Sequence, residues 1–142
     1  MDIRTLTPAI SVGPQIAEAD AQALADAGFK TLINNRPDEE VALTGGPDSA
    51  TMEAAAKSAG LAYHYLPIPG AGFGPEHVTA MRDIIEGADA PVYAYCRSGT
   101  RSSNVWALSQ AGSVEVEELM NAGAQAGYDF SGLRSLLGQR IG

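Results

Sequence analysis

The chain has 142 residues, of which 45% are hydrophobic and 18% are charged, and its net charge is −8. These values suit one compact domain spanning residues 1–142 and exclude a disordered chain. The nine Lys and Arg residues are scattered, which argues against nucleic-acid binding. No apolar run is long enough to cross a membrane, and the N-terminal residues do not resemble a signal peptide. A lone cysteine cannot form an internal disulfide, which fits a reducing compartment, so we expect a cytoplasmic protein.

Turn residues and changes of hydrophobic period predict strands that alternate with helices. The first half reads as strands 3–6 and 10–12, helix 15–27, strand 29–34, turn 35–38, loop 41–47 and a helix that begins at Asp48 or Ser49 and ends before Gly60. The second half reads as strand 61–66, a loop at 67–74, helix 75–87, strand 91–95, helix 102–111 and two further helices containing residues 116–120 and 133–137.

Strands separated by helices predict a mostly parallel central sheet that is flanked by helices on both faces. Ligands of such sheets bind beyond the carboxyl ends of the strands. Cys96, the only cysteine, directly follows the last predicted strand and therefore lies at this edge.

The segment from Cys96 to the next helix suggests a reactive thiol. Loop amides, the positive end of the helix dipole, Arg97 and Arg101 would all stabilise a thiolate there. The alternatives are a buried structural thiol and a pair of solvated arginines. Arg36 follows another strand at the same edge, so it either contacts a substrate or holds its turn through Asp38. We expect the acidic run 38–40 to be a solvated loop.

Three segments, residues 28–40, 65–70 and 93–102, resemble the beta-lactamase hydrolase-like family, phosphatase-like domain. The resemblance implies a tyrosine/dual-specificity phosphatase-like fold. Some members of the family are described as sulfur transferases and occur with persulfide-oxidising enzymes. The resemblance therefore also implies a persulfide-oxidising enzyme as a partner.

The loop from Cys96 to Arg101 bears on whether the chemistry is hydrolysis of a phosphoester or transfer of sulfur. Tyrosine-type phosphatases have five residues between Cys and Arg, with His before the Cys, whereas this chain has four residues between Cys96 and Arg101 and carries Tyr95. Both departures are typical of rhodanese-type sulfurtransferases. Residues 67–75 also contain no carboxylate that could protonate a leaving oxygen. The helical end of the chain, by contrast, is typical of phosphatase scaffolds.

These observations favour a sulfurtransferase that moves sulfane sulfur from thiosulfate or a small persulfide to a thiol or cyanide through a Cys96 persulfide. One alternative is a phosphatase that forms a phosphocysteine and acts on a phosphoester. The other is a non-catalytic module that binds an anion or a persulfide.

The loop residues have different predicted roles. Cys96 is the nucleophile, and Arg101 is the fork that binds the anionic donor. Arg97 forms an electropositive wall, and the Ser102 hydroxyl donates a hydrogen bond to the thiolate. The remaining predicted substrate-binding residues are Ser98, Gly99 and Thr100, which supply backbone N–H groups, and Arg36. We expect no metal and no organic cofactor.

Overall fold

The computed structural model describes residues 1–139, which form a five-stranded sheet flanked by helices. The strands are β1 (Arg4–Thr7), β2 (Ile10–Gly13), β3 (Thr31–Asn34), β4 (Ala62–Tyr65) and β5 (Val92–Tyr95). Their spatial order is β1-β2-β5-β3-β4, in which β1 is antiparallel to β2 and the other neighbouring pairs are parallel. The predicted α/β class with a mostly parallel sheet is confirmed.

The helices alternate with the parallel strands, and the last of them follow β5. They are α1 (Glu18–Asp26), α2 (Asp38–Thr44), α3 (Ser49–Ala59), α4 (Pro75–Gly87), α5 (Thr100–Ser109), α6 (Val116–Ala126) and α7 (Arg134–Gln139), with a short 3-10 helix at Ser131–Leu133. Among residues 1–139, no helix is long and apolar enough to cross a membrane.

Local side-chain chemistry explains the helix ends that the sequence predicted correctly. The Asp48 carboxylate accepts a hydrogen bond from the Thr51 N–H at 2.9 Å, which satisfies a free donor at the start of α3. Gly60 ends the same helix in the left-handed region, with φ of +85°. Pro75 occupies the first turn of α4, where a backbone N–H would have no acceptor within the helix, so the lack of an N–H in proline costs no hydrogen bond.

Helix α2 is the main departure from the predicted secondary structure, because residues 41–47 were expected to form a loop. Pro37 has an extended backbone and directly precedes Asp38, so it ends the preceding turn and begins the helix. Three acidic residues fill the first helical turn, where the positive end of the helix dipole favours them. The acidic run is therefore the start of a helix.

The sheet separates two hydrophobic cores, and the alternation of side chains along β3 shows this most clearly. Leu32 packs on the face covered by α1 and α3, with Leu24 and Met52. Ile33 packs on the opposite face, in the same core as Trp106 of α5 and Leu119 of α6. Strand β5 pairs with β2 and β3 on its two sides, so the residue that follows it emerges at the middle of the carboxyl edge.

Candidate active site

Cys96 follows β5 directly and begins the loop that leads into α5. Its Sγ accepts a hydrogen bond from the Gly99 N–H at 3.1 Å. Gly99 has φ of +91°, a backbone conformation that side chains disfavour, and it stands immediately before the first residue of α5. The loop therefore bends back on itself, and α5 begins at Thr100, two residues earlier than predicted.

The thiol has no exposed surface, as a structural cysteine also would. Its surroundings are polar, however, because the sulfur accepts a hydrogen bond from the Gly99 N–H and lies within electrostatic range of the guanidinium of Arg101. A thiol in an apolar pocket would have neither neighbour. The structure thus places Cys96 at the base of a hydrogen-bonding loop, on the predicted edge of the sheet.

Arg101 lies in the first turn of α5 and is held by two other segments of the chain. Its Nη1 donates to the Ile68 carbonyl at 2.7 Å, and its Nη2 donates to Glu40 Oε2 at 2.8 Å. The guanidinium is thus oriented before any substrate binds. The remaining N–H groups of the fork are the ones that can bind an anion.

Glu40 is a member of the site that the sequence analysis missed. Its Oε2 accepts from Arg101 and also from Arg36 Nε at 2.9 Å, so one carboxylate joins two arginines. The bond to Arg101, with help from Arg36, holds the pKa of Glu40 below its usual range against the opposing effect of burial. Glu40 is therefore an ionised ligand of two guanidinium groups and a poor proton donor. The spacing of Arg36 and Glu40, four residues apart, was the available signal.

Arg36 is almost fully buried, with 4% of its surface exposed, and it binds protein acceptors. Its Nη1 donates to Gln15 Oε1 at 3.0 Å, and Nη2 donates to the Thr44 hydroxyl. Of the two predicted roles of Arg36, the one that holds its turn through Asp38 is wrong in its partner, because the carboxylate that Arg36 binds is that of Glu40. Asp38 instead accepts from the N–H and the hydroxyl of Ser49, at 2.8 and 2.7 Å, and joins α2 to α3.

The hydroxyl of Ser102 does not donate to the thiolate, contrary to the prediction. It donates to Asn35 Oδ1 at 2.8 Å, and Asn35 Nδ2 in turn donates to the Leu66 carbonyl at 2.9 Å. Because Asn35 Nδ2 donates to Leu66, the end of the amide that faces Ser102 is the acceptor oxygen. The single proton of the Ser102 hydroxyl is used in that bond and is therefore not donated to the thiolate. Ser102 therefore joins α5 to the residues that follow β3 and β4.

Three of the other predicted substrate-binding residues lie on the outer side of the loop. Arg97, Ser98 and Thr100 are exposed, whereas Gly99 is buried. The Ser98 hydroxyl accepts from the Thr100 N–H at 3.3 Å, which helps the chain enter α5. Arg97 is exposed beside the loop, and its role as an electropositive wall stays a prediction.

Two titratable residues near the start of α4, Glu76 and His77, are engaged locally. Glu76 is 73% exposed in its side chain, and His77 Nδ1 accepts from the Gly74 N–H at 2.8 Å. Both belong to the N-terminal turn of α4. No group of three or more potential metal ligands occurs among residues 1–139.

A cysteine at the end of a central parallel strand, followed by a bent loop and an arginine in the next helical turn, defines the class of cysteine-dependent, tyrosine phosphatase-like proteins. Solved structures share the fold. A phosphatase-family protein from Shewanella putrefaciens CN-32 superposes with a TM-score of 0.74 at 18% identity, covering 99% of this chain and 91% of its own. Tk-PTP in its active form gives a TM-score of 0.73 at 18% identity, with 99% and 95% coverage.

Within that class, the chain belongs to the family of the beta-lactamase hydrolase-like protein, phosphatase-like domain, whose sequence model matches residues 2–113. A provisionally assigned phosphatase from Neisseria meningitidis Z2491 is 33% identical, with a TM-score of 0.83 and 99% of both chains covered. The beta-lactamase hydrolase-like protein of Agrobacterium fabrum is 30% identical over 123 residues, which are 85% of this chain and 28% of that protein. The chain thus spans about a quarter of the length of the curated relatives it matches.

These similarities confirm the predicted family and the phosphatase-like fold. They support the phosphatase alternative and do not support the predicted sulfurtransferase activity or the predicted persulfide-oxidising partner.

Proposed function

We propose that this protein is a cysteine-dependent phosphatase that acts on a phosphomonoester. The observation that carries the proposal is the pairing of the Cys96 sulfur with the Gly99 N–H at 3.1 Å, beside the Arg101 guanidinium and on a phosphatase-like fold. This arrangement stabilises negative charge on sulfur and on the oxygens of a transferring phosphoryl group.

In the proposed reaction, the Cys96 thiolate attacks phosphorus, the bond from phosphorus to the leaving oxygen breaks, and a phosphocysteine forms. The leaving oxygen takes its proton from water, because the carboxylate beside Arg101 belongs to Glu40 and stays ionised. Water then attacks the phosphocysteine, the bond between phosphorus and sulfur breaks, inorganic phosphate is released, and the Cys96 thiolate is regenerated. Aryl phosphates, whose leaving groups are the more stable anions, suit such a site best.

One observation favours sulfur transfer as a second candidate. Only four residues separate Cys96 from Arg101, one fewer than in tyrosine-type phosphatases. In that reaction, the thiolate attacks the outer sulfur of thiosulfate, the S–S bond breaks, and sulfite leaves. Cyanide then accepts the sulfur from the Cys96 persulfide, which regenerates the thiolate.

One enzyme preparation can separate the two candidates. We expect hydrolysis of an aryl phosphate with release of inorganic phosphate, and mass spectrometry of acid-quenched protein should show a phosphoryl group on Cys96. Cys96→Ser should abolish the activity, and Arg101→Lys should lower kcat/KM about a hundredfold because an ammonium lacks the planar fork. Arg134→Lys, at an exposed pair with Glu117, is the matched control and should behave as the wild type.

The contrary outcome is equally specific. A sulfur adduct on Cys96 with thiocyanate formation, and no phosphate release above that of Cys96→Ser, would establish the second candidate in place of the first. Full phosphatase activity in Cys96→Ser would remove covalent catalysis at this residue.

A further inference from the structure

The Ser98 carbonyl and the Gly99 N–H belong to the same peptide group, and the two ends of that group have different partners. The N–H donates to Cys96 Sγ at 3.1 Å. The carbonyl accepts a hydrogen bond from the Tyr128 hydroxyl at 3.2 Å. Tyr128 therefore touches the loop through the peptide that contacts the thiol.

The segment after α6 delivers Tyr128 to this place. Gly127 ends the helix with φ of +91°, and the Tyr128 N–H closes the turn on the Gly123 carbonyl at 2.8 Å. Phe130 is buried against Gly123 and anchors the chain beyond the turn.

The ring of Tyr128 is fixed from the other side by β1. The Arg4 guanidinium carbon lies 5.5 Å from the ring centroid, and Arg4 Nη1 donates to the Ala126 carbonyl at 3.1 Å. The hydroxyl also sits so close to Gly99 that a side chain there would collide with it. Residue 128 lies beyond residues 2–113, the part of the chain that the family model matches.

We infer that Tyr128 is a positioning residue for Cys96. The Tyr128 hydroxyl holds the peptide between Ser98 and Gly99 so that the Gly99 N–H is directed at the sulfur. The inference rests on the proposed role of Cys96 as a nucleophile. If the peptide rotated, the carbonyl would turn its lone pairs toward the thiolate and repel it. Gly99 lacks a Cβ and permits such a rotation, so a partner outside the loop must prevent it.

The hydroxyl is suited to this role because it keeps its proton. Burial raises the pKa of Tyr128, and Cys96 adds to the effect while Arg4 opposes it, so the group donates across the neutral range. A hydrogen bond to the carbonyl also polarises the peptide and strengthens its N–H as a donor. Tyr128 acts on the sulfur through one peptide group.

Tyr128→Phe tests the inference because it keeps the ring and removes only the donor. Since Cys96 is the only cysteine, the ultraviolet absorbance of its thiolate can be titrated directly, with Cys96→Ser as the blank. We expect the titration curve of Tyr128→Phe to move to higher pH. At a pH where the wild type is partly ionised, the ratio of thiolate to thiol should fall about threefold, the equivalent of one modest hydrogen bond.

Tyr63→Phe is the matched control. It removes the same group from β4, where the hydroxyl accepts from Asn34 Nδ2 and does not contact the cysteine loop. The charged or titratable neighbours of the sulfur include Arg101 of α5 and Tyr93 of β5, and both variants retain them. Tyr63→Phe should therefore titrate as the wild type does.

Coincident thiolate titration curves for Tyr128→Phe and the wild type would overturn the inference. It would also be overturned if the wild-type protein formed no thiolate below the pH range in which tyrosine ionises. The titration needs no substrate, so its result is independent of the proposed phosphatase activity. A shifted curve in a protein that hydrolyses no phosphoester would refute the proposed function and support the positioning role.

Discussion

The Glu40 carboxylate is the point at which the candidate site can be perturbed most cleanly, because both arginine bonds end on the same oxygen, Oε2. Glu40→Gln keeps an oxygen in that place and removes the charge, whereas Glu40→Ala removes the acceptor as well. Arg36 has 4% of its side chain exposed, so it would then carry a buried charge without its carboxylate.

The expected losses follow from these contacts. A hydrogen bond to a charged group contributes about 1.5–3 kcal/mol, and the 20% of the Glu40 side chain that remains exposed places the pair at the lower end. We therefore expect Glu40→Gln to lower the free energy of unfolding by about 1–2 kcal/mol. Glu40→Ala should lower it by about 2–4 kcal/mol, because it also leaves the buried Arg36 donor and the partly buried Arg101 donor without their acceptor.

The pH dependence of this effect gives the decisive assay, which is urea unfolding at neutral pH and in acid. The pKa of Glu40 is lowered in the folded state, so its contribution is complete above the unfolded value of about 4.5 and is lost as the pH falls through the folded value. The stability gap between wild type and Glu40→Gln should therefore close in acid.

Glu39→Gln is the matched control, because Glu39 is the exposed neighbour on the same helical turn. It should cost little at any pH. A gap between wild type and Glu40→Gln that stayed constant from neutral pH into acid would refute the assignment of Glu40 as an ionised ligand of the two arginines.

Two further substitutions test the loop from inside. Gly99→Ala should lower the melting temperature more than Gly60→Ala does, because both residues have positive φ but only Gly99 has a neighbouring side chain in the way; equal losses in thermal melts would contradict this. Ser102→Ala leaves the buried Asn35 amide oxygen without a donor and should cost about 1–3 kcal/mol. Ser103→Ala loses a bond within its own helix and should cost less in the same urea titration, and the reverse order would disprove the proposed link.

Much of the fold was predictable because its signals are local. Asp48, Gly60 and Pro75 act on the backbone within one helical turn of themselves, so a reader of the sequence can place the ends of α3 and α4. Helix α2 was missed because a proline and an acidic residue together are as typical of a turn as of a helix start. Only the packing of Val41 in the interior distinguishes the two.

In the candidate site, too, the residues that are close in sequence were predicted and those that are distant in sequence were missed. Cys96 and Arg101 were predicted because they are separated by four residues in one motif. Glu40 lies 61 positions from Arg101, and Asn35 lies 67 positions from Ser102. Contacts at such separations depend on which strands become neighbours, which hydrophobic period alone does not determine.

These distant contacts bear directly on how a short loop can be reactive. The Tyr128 hydroxyl donates to the Ser98 carbonyl, which belongs to the same peptide group as the Gly99 N–H that faces the sulfur. The Arg101 guanidinium donates to the Glu40 carboxylate. Both hydrogen bonds exist before substrate binds, so substrate binding does not carry the entropy cost of ordering these groups. The loop supplies the nucleophile and the donors, while α2 and the segment after α6 supply their orientation. Replacing either support should therefore alter the chemistry of Cys96 without changing any residue from Cys96 to Arg101.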